Sequence, residues 1–118
     1  MDELTREFLG EAEEMLRELE AALDALEGGG GEEAARRAYR AVHVIRGGAG
    51  FVGLGRTERL AAAGERLFGE THGAAAVAPG RELHAALARL LAAAREAGAE
   101  PAGDDGELLA RLGPPEAP

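Results

Sequence analysis

One histidine sits among arginines and glycines, in the run Arg40-Ala41-Val42-His43-Val44-Ile45-Arg46-Gly47-Gly48-Ala49-Gly50. Neutral imidazole is a nucleophile near neutral pH, and guanidinium partly neutralises a phosphoryl group carried on it. If the run is helical, Arg40 and Arg46 flank His43 three residues to either side, while Gly47 and Gly50 follow it on the same stripe. The apolar stripe Ala35, Ala38, Val42, Ile45, Ala49 and Val52 then centres roughly 130° away at 100° per residue. His43 is therefore predicted to face solvent or a groove edge. Each helical Gly costs about 1 kcal/mol against Ala, so Gly47, Gly48 and Gly50 together cost roughly 3 kcal/mol. In a chain this rich in Ala that cost asks for a reason. The wheel assigns Gly47 and Gly50 to access by a partner and Gly48 to close helix packing. Taken alone, a His on a polar helix face is simply solvated.

A competing pattern overlaps it. Gly48-Ala49-Gly50-Phe51-Val52-Gly53 fits the dinucleotide fingerprint G-x-G-x-x-G, with Val42-His43-Val44-Ile45 as its preceding strand. The context opposes this reading. A helical pattern runs directly into Val42, and Val, Ile and Thr number only eight in the whole chain, too few to furnish a sheet.

Composition narrows the chemistry further. The 118 residues suffice for one domain. There is no Cys, Ser, Asn, Gln or Lys, and all 13 basic residues are Arg. Thiol chemistry and Cys-ligated zinc are excluded, and three Thr leave little for a hydroxyl nucleophile. A net charge of -9 repels a phosphate backbone, so no nucleic-acid partner is expected. No apolar run approaches the ~20 residues of a membrane span, so no membrane association is expected and the compartment is read as cytoplasmic. His72, in a loop of small residues, and His84, early in a helix, read as surface residues, and no spacing suggests a metal site. Glu11, Glu13, Glu14, Glu18 and Glu20 read as a solvated face, and Tyr39 as packing beside His43.

The elements that must position His43 follow from period and punctuation. Asp2 to Glu27 is a first amphipathic helix with Leu4, Phe8, Ala12, Met15, Leu16, Leu19, Leu23 and Leu26 inward, ended by Gly28-Gly29-Gly30-Gly31. A second starts near Glu32 and passes through Gly47 and Gly48 to a break at Gly53-Leu54-Gly55. A third runs from about Arg56 to Gly69, with Leu60, Gly64, Leu67 and Phe68 inward. Residues 69–78 read as a loop. Pro79 suits the first turn of a fourth helix, ending near Ala97 with Leu83, Leu87, Leu90, Leu91 and Ala94 inward. A short fifth, Asp105 to Leu112, opens on a capping box from Asp104 to Glu107. The fold class is all-α: an antiparallel up-down-up-down four-helix bundle with a short fifth C-terminal helix. The domain is placed at 1–112, with 113–118 as the start of a Pro-rich linker.

Residues 39–54, YRAVHVIRGGAGFVGL, resemble the signature of histidine-containing phosphotransfer (HPt) domains: an aromatic residue, Arg, two small or apolar residues, His, two residues, then Lys and Gly-Ser-Ala-Gly. The opening DELTREFLGEAEEMLRELEAALDALE and the ending EPAGDDGELLARL resemble the N-terminal phosphotransfer domain of CheA-type chemotaxis kinases. The resemblance spans about residues 4–112. It implies a phosphoryl carrier: His43 accepts the group through Nε2 from an ATP-bound histidine kinase domain and passes it to an Asp of a CheY-like response regulator. Glu65 falls at the family's carboxylate and would orient His43 through Nδ1–H. Arg46 would stabilise the phosphoryl group, and Arg40, Gly47 and Gly50 would line the partner-binding surface. Alone, the chain would be no complete catalyst but the phospho-accepting part of such a kinase. It would hold no cofactor itself, the kinase domain using ATP and Mg and the regulator using Mg, and it would be a monomer. Three positions depart from the pattern: Arg46 stands for Lys, Gly48 for Ser, and Ala62 where many CheA-type sequences carry a second His. A bundle that only dimerises or scaffolds, without phosphotransfer, is the alternative.

Overall fold

The computed structural model describes residues 1–113 and contains five α-helices and one 3-10 turn among them. Helix α1, Glu3–Glu27, starts where the Asp2 carboxylate accepts the Thr5 amide at 2.7 Å. Such a cap satisfies one of the donors that every helix start leaves open. Gly29, with φ +91°, turns the chain after it. Helix α2, Gly31–Val52, then crosses Gly47, Gly48 and Gly50 without interruption. It ends at Gly53, whose φ of +80° is left-handed, while the Leu54 amide reaches back to the Ala49 carbonyl at 2.9 Å. That six-to-one bond beside a left-handed Gly is the usual way a helix is closed and its chain redirected. The dinucleotide reading needs a strand before the glycines; the described residues contain none.

Helix α3, Gly55–Glu70, is followed by the 3-10 turn Gly73–Ala76, so the expected loop at 69–78 is partly helical. Helix α4, Val77–Ala97, carries Pro79 in its first turn as expected, and stops at Gly98 with φ +81°. Helix α5, Gly106–Leu112, starts without the predicted capping box. The Asp104 carboxylate bonds the Gly106 amide at 2.9 Å rather than that of Glu107, and Asp105 is occupied elsewhere. Most of the linker expected at 113–118 lies outside the described residues.

Neighbour pairs show the bundle to be antiparallel. Gly48 faces Phe8 and Arg37 faces Glu18, so α1 and α2 run in opposite senses. Gly64 meets both Val42 of α2 and Leu83 of α4, and Gly80 of α4 meets Leu23 and Phe68. Helices α1 to α4 thus close a ring around one Leu–Ala core, and α5 packs on α3 and α4 with Leu112 buried. The inward residues predicted for α3 and α4 are all buried. On α1 the buried stripe enters through Thr5, about 100° around the helix from Leu4, which is 56 % exposed instead of inward.

Candidate functional site

The α2–α3 register brings the chemistry together. Val42 packs against Gly64, where a Cβ would lie 3.1 Å from Val42 Cγ1 and 2.6 Å from Leu83 Cδ2. The missing side chain lets α2 and α3 approach closely one residue from His43 and Glu65. Gly64 is a site-building residue that sequence reading placed only in the core; its signal is a helical glycine costing about 1 kcal/mol.

His43 is exposed on the outer face of α2, with 63 % of its side chain accessible, as the wheel predicts. Its Nδ1 lies 2.5 Å from Glu65 Oε2, and Arg46 Nη1 lies 2.5 Å from Glu65 Oε1. Glu65 is itself buried, at 7 % exposure. Burial pushes its carboxyl up, but the hydrogen bonds from His43 and Arg46 and the Arg46 charge outweigh it and hold the group below the ordinary carboxylate value. Arg46 is raised in turn by its bond to Glu65. An ionised carboxylate only accepts, so Nδ1 must carry the proton it shares with Glu65. In the neutral ring this leaves the lone pair on Nε2. The Tyr39 ring stacks on His43, with centroids 6.0 Å apart and planes 11° from parallel.

The remaining expected residues fall in different places. Gly47 is exposed, and a Cβ there would meet nothing within 4 Å. Gly50 is exposed too, but it looks onto α3: a Cβ there would lie 2.6 Å from Glu58 Oε2. Gly48 packs under the Phe8 ring, in agreement with its assigned packing role. Arg40 is exposed one turn before His43 and, among the described residues, makes no ion pair within 4 Å. His72 is exposed. His84 differs from expectation: it is half-buried, with Nε2 3.1 Å from the Leu16 carbonyl, so that nitrogen donates. Ala62, where a second His would stand, leaves a hollow of about 440 Å³ beside Arg46, Glu65 and Arg66.

A family model described as Hpt domain matches residues 3–97. The chain belongs to the Hpt domain family. It is accordingly a phosphotransfer carrier of two-component signalling, a class that works with histidine kinases and response regulators. No curated protein and no solved structure matches it significantly. No described helix is long and apolar enough to cross a membrane.

Two features of this Hpt domain were not legible beforehand. Phe51, eight residues after His43 near the end of α2, is 76 % exposed, and Leu4 and Met1 of the adjoining α1 terminus are also exposed. A long helix pattern with no partner in view cannot say which apolar residues it leaves outside. The second feature is a clasp on the start of α3, which has no side-chain cap of its own. Glu100, from the segment after α4, accepts the Arg56 amide at 2.9 Å and the Thr57 amide and hydroxyl at 2.6 and 2.7 Å. Arg56 in turn grips both oxygens of Asp105 and the Pro101 carbonyl.

Proposed function

We propose that this Hpt domain is the phospho-accepting domain of a CheA-type chemotaxis kinase and works in the cytoplasm as a monomer. His43 takes a phosphoryl group from ATP held with Mg by a histidine kinase domain and gives it to an Asp of a CheY-like response regulator. The observation that carries the reading is the exposed His43 ring held at Nδ1 by buried Glu65.

The chemistry follows from that hydrogen bond. The Nε2 lone pair attacks the γ-phosphorus, the new N–P bond forms, and the P–O bond to the departing ADP breaks. The ring becomes cationic, with its Nδ1 proton retained against the Glu65 carboxylate, whose charge balances it. When an Asp oxygen of the regulator attacks phosphorus, the N–P bond breaks and the ring returns to neutral. Arg46 has one nitrogen on Glu65, and its remaining N–H donors stay available to the phosphoryl oxygens.

Gly47 leaves the approach to His43 open, and exposed Phe51 and Leu4 supply apolar contact area for the regulator. Arg40 flanks that approach, while Gly50 lies under Glu58. The test is transfer from the phosphorylated domain to a CheY-like receiver with Mg. Gly47→Leu is expected to slow it at least tenfold with the helical spectrum unchanged. Equal transfer by the variant discards this docking surface.

A further inference from the structure

A second exposed surface lies on α3, away from Gly47 and Phe51. Arg59, Ala62 and Arg66 follow one another at three- and four-residue spacing along one face of the helix. With Leu109 and Ala110 of α5 they line a groove of about 400 Å³. Ala62 and Arg66 also line the hollow beside Arg46 and Glu65.

Its charge runs against that of the molecule. Acidic residues outnumber basic ones 22 to 13. Arg36, Arg37, Arg46, Arg56, Arg81, Arg95 and Arg111 each have a carboxylate within 4.0 Å. Among the described residues, Arg59 and Arg66 have none, as is also true of Arg6, Arg17, Arg40 and Arg89; of these six, Arg59 and Arg66 are the two that line this groove. Two neighbouring acids are committed: Glu65 holds His43 and Arg46, and Asp105 holds Arg56. Glu70, which lines the adjoining hollow with Arg66, makes no ion pair within 4.0 Å among the described residues. The groove therefore has an apolar floor of Ala62 and Leu109 between two guanidiniums. Its α5 wall lies beyond residues 3–97, the part matched by the family model.

We propose that the α3–α5 groove binds an acidic, partly apolar helical segment of a partner protein, its carboxylates on Arg59 and Arg66 and an apolar side chain over Ala62. Charge complementarity selects this occupant: a groove with two unpaired cations at helical spacing matches carboxylates at the same spacing. A second copy of the chain is disfavoured by the charge of -9 on each molecule. The proposal does not rest on phosphoryl transfer at His43.

The test uses the full chain, labelled with nitrogen-15. The probe is a synthetic helical peptide with Leu at every third or fourth position and Glu between them. Saturable amide shifts centred on Arg59, Ala62, Arg66 and Leu109 are expected. Affinity should fall at least tenfold in the Arg59→Glu, Arg66→Glu double variant, which alters only exposed or half-exposed side chains and should keep the helical spectrum. The same peptide with Lys for Glu should not bind. The proposal is overturned by no saturable shift, by shifts centred on Gly47 and Phe51, or by equal affinity in the double variant. Equal binding of inorganic polyphosphate at the same sites would also overturn it, marking a general anion site.

Discussion

Glu65 is the residue on which the presentation of His43 turns. Both of its oxygens are occupied, one by the imidazole and one by Arg46, and it sits in the α2–α3 seam. Its role was legible only through the family pattern, because a helix-flank carboxylate carries no signal of its own partner. The apolar stripe of α2, centred well away from His43, did predict the exposed ring. It did not predict that His84 would turn inward to the Leu16 carbonyl, since one His early in a helix says nothing of which backbone group it meets. Replacing Glu65 by Gln should slow phosphorylation about tenfold without abolishing it, the scale seen when an orienting partner of a functional His is removed. Time courses of labelling for the two proteins read this directly. The folded carboxyl lies below its ordinary value, so its ion pairing stabilises the fold above the ordinary carboxylate range and is lost as pH falls through the folded value. Urea midpoints should therefore separate wild type from Glu65→Gln at pH 7 and converge in acid.

At the scale of the element, α2 had to be one unbroken helix through its glycines, and it is. The sequence supports this by the apolar stripe that continues past Gly47 and Gly48 and by the turn residues that wait until Gly53. What each glycine does depends on a neighbour far along the chain. A Cβ on Gly47 would enter open space, while one on Gly48 would meet the Phe8 ring. Gly47→Ala is accordingly expected to raise stability by about 1 kcal/mol through helix propensity. Gly48→Ala should lower it by about 1 kcal/mol or more, because displacing a packed ring outweighs the same gain. Denaturation of the two variants side by side gives opposite signs if this packing is right. Gly50 shows the limit of the wheel: its outward direction was legible, but the Glu58 carboxylate over it was not.

For the whole molecule, the all-helical bundle was legible because four amphipathic stripes with short connections have few ways to bury themselves. The clasp between the C-terminal segment and α3 was not, because Glu100 and Arg56 are 44 residues apart and look like ordinary surface charges. It makes residues 98–112 part of the folded body. A chain ending at Ala97 would leave the Arg56 and Thr57 amides without Glu100 and lose the burial of Leu112. Loss of the cap and of that side chain should cost roughly 3 kcal/mol, visible as a lower thermal midpoint. An unchanged midpoint would show the clasp to be incidental. The presentation of His43 itself depends on the α2–α3 seam. Incubation with ATP and a histidine kinase domain, followed by intact mass under alkaline conditions, tests that most directly. The wild-type chain should gain one acid-labile phosphoryl group, and His43→Gln, folded by its helical spectrum, should gain none. Labelling that persists in the variant, or that never occurs in the wild type with a kinase active on other Hpt domains, would contradict the account.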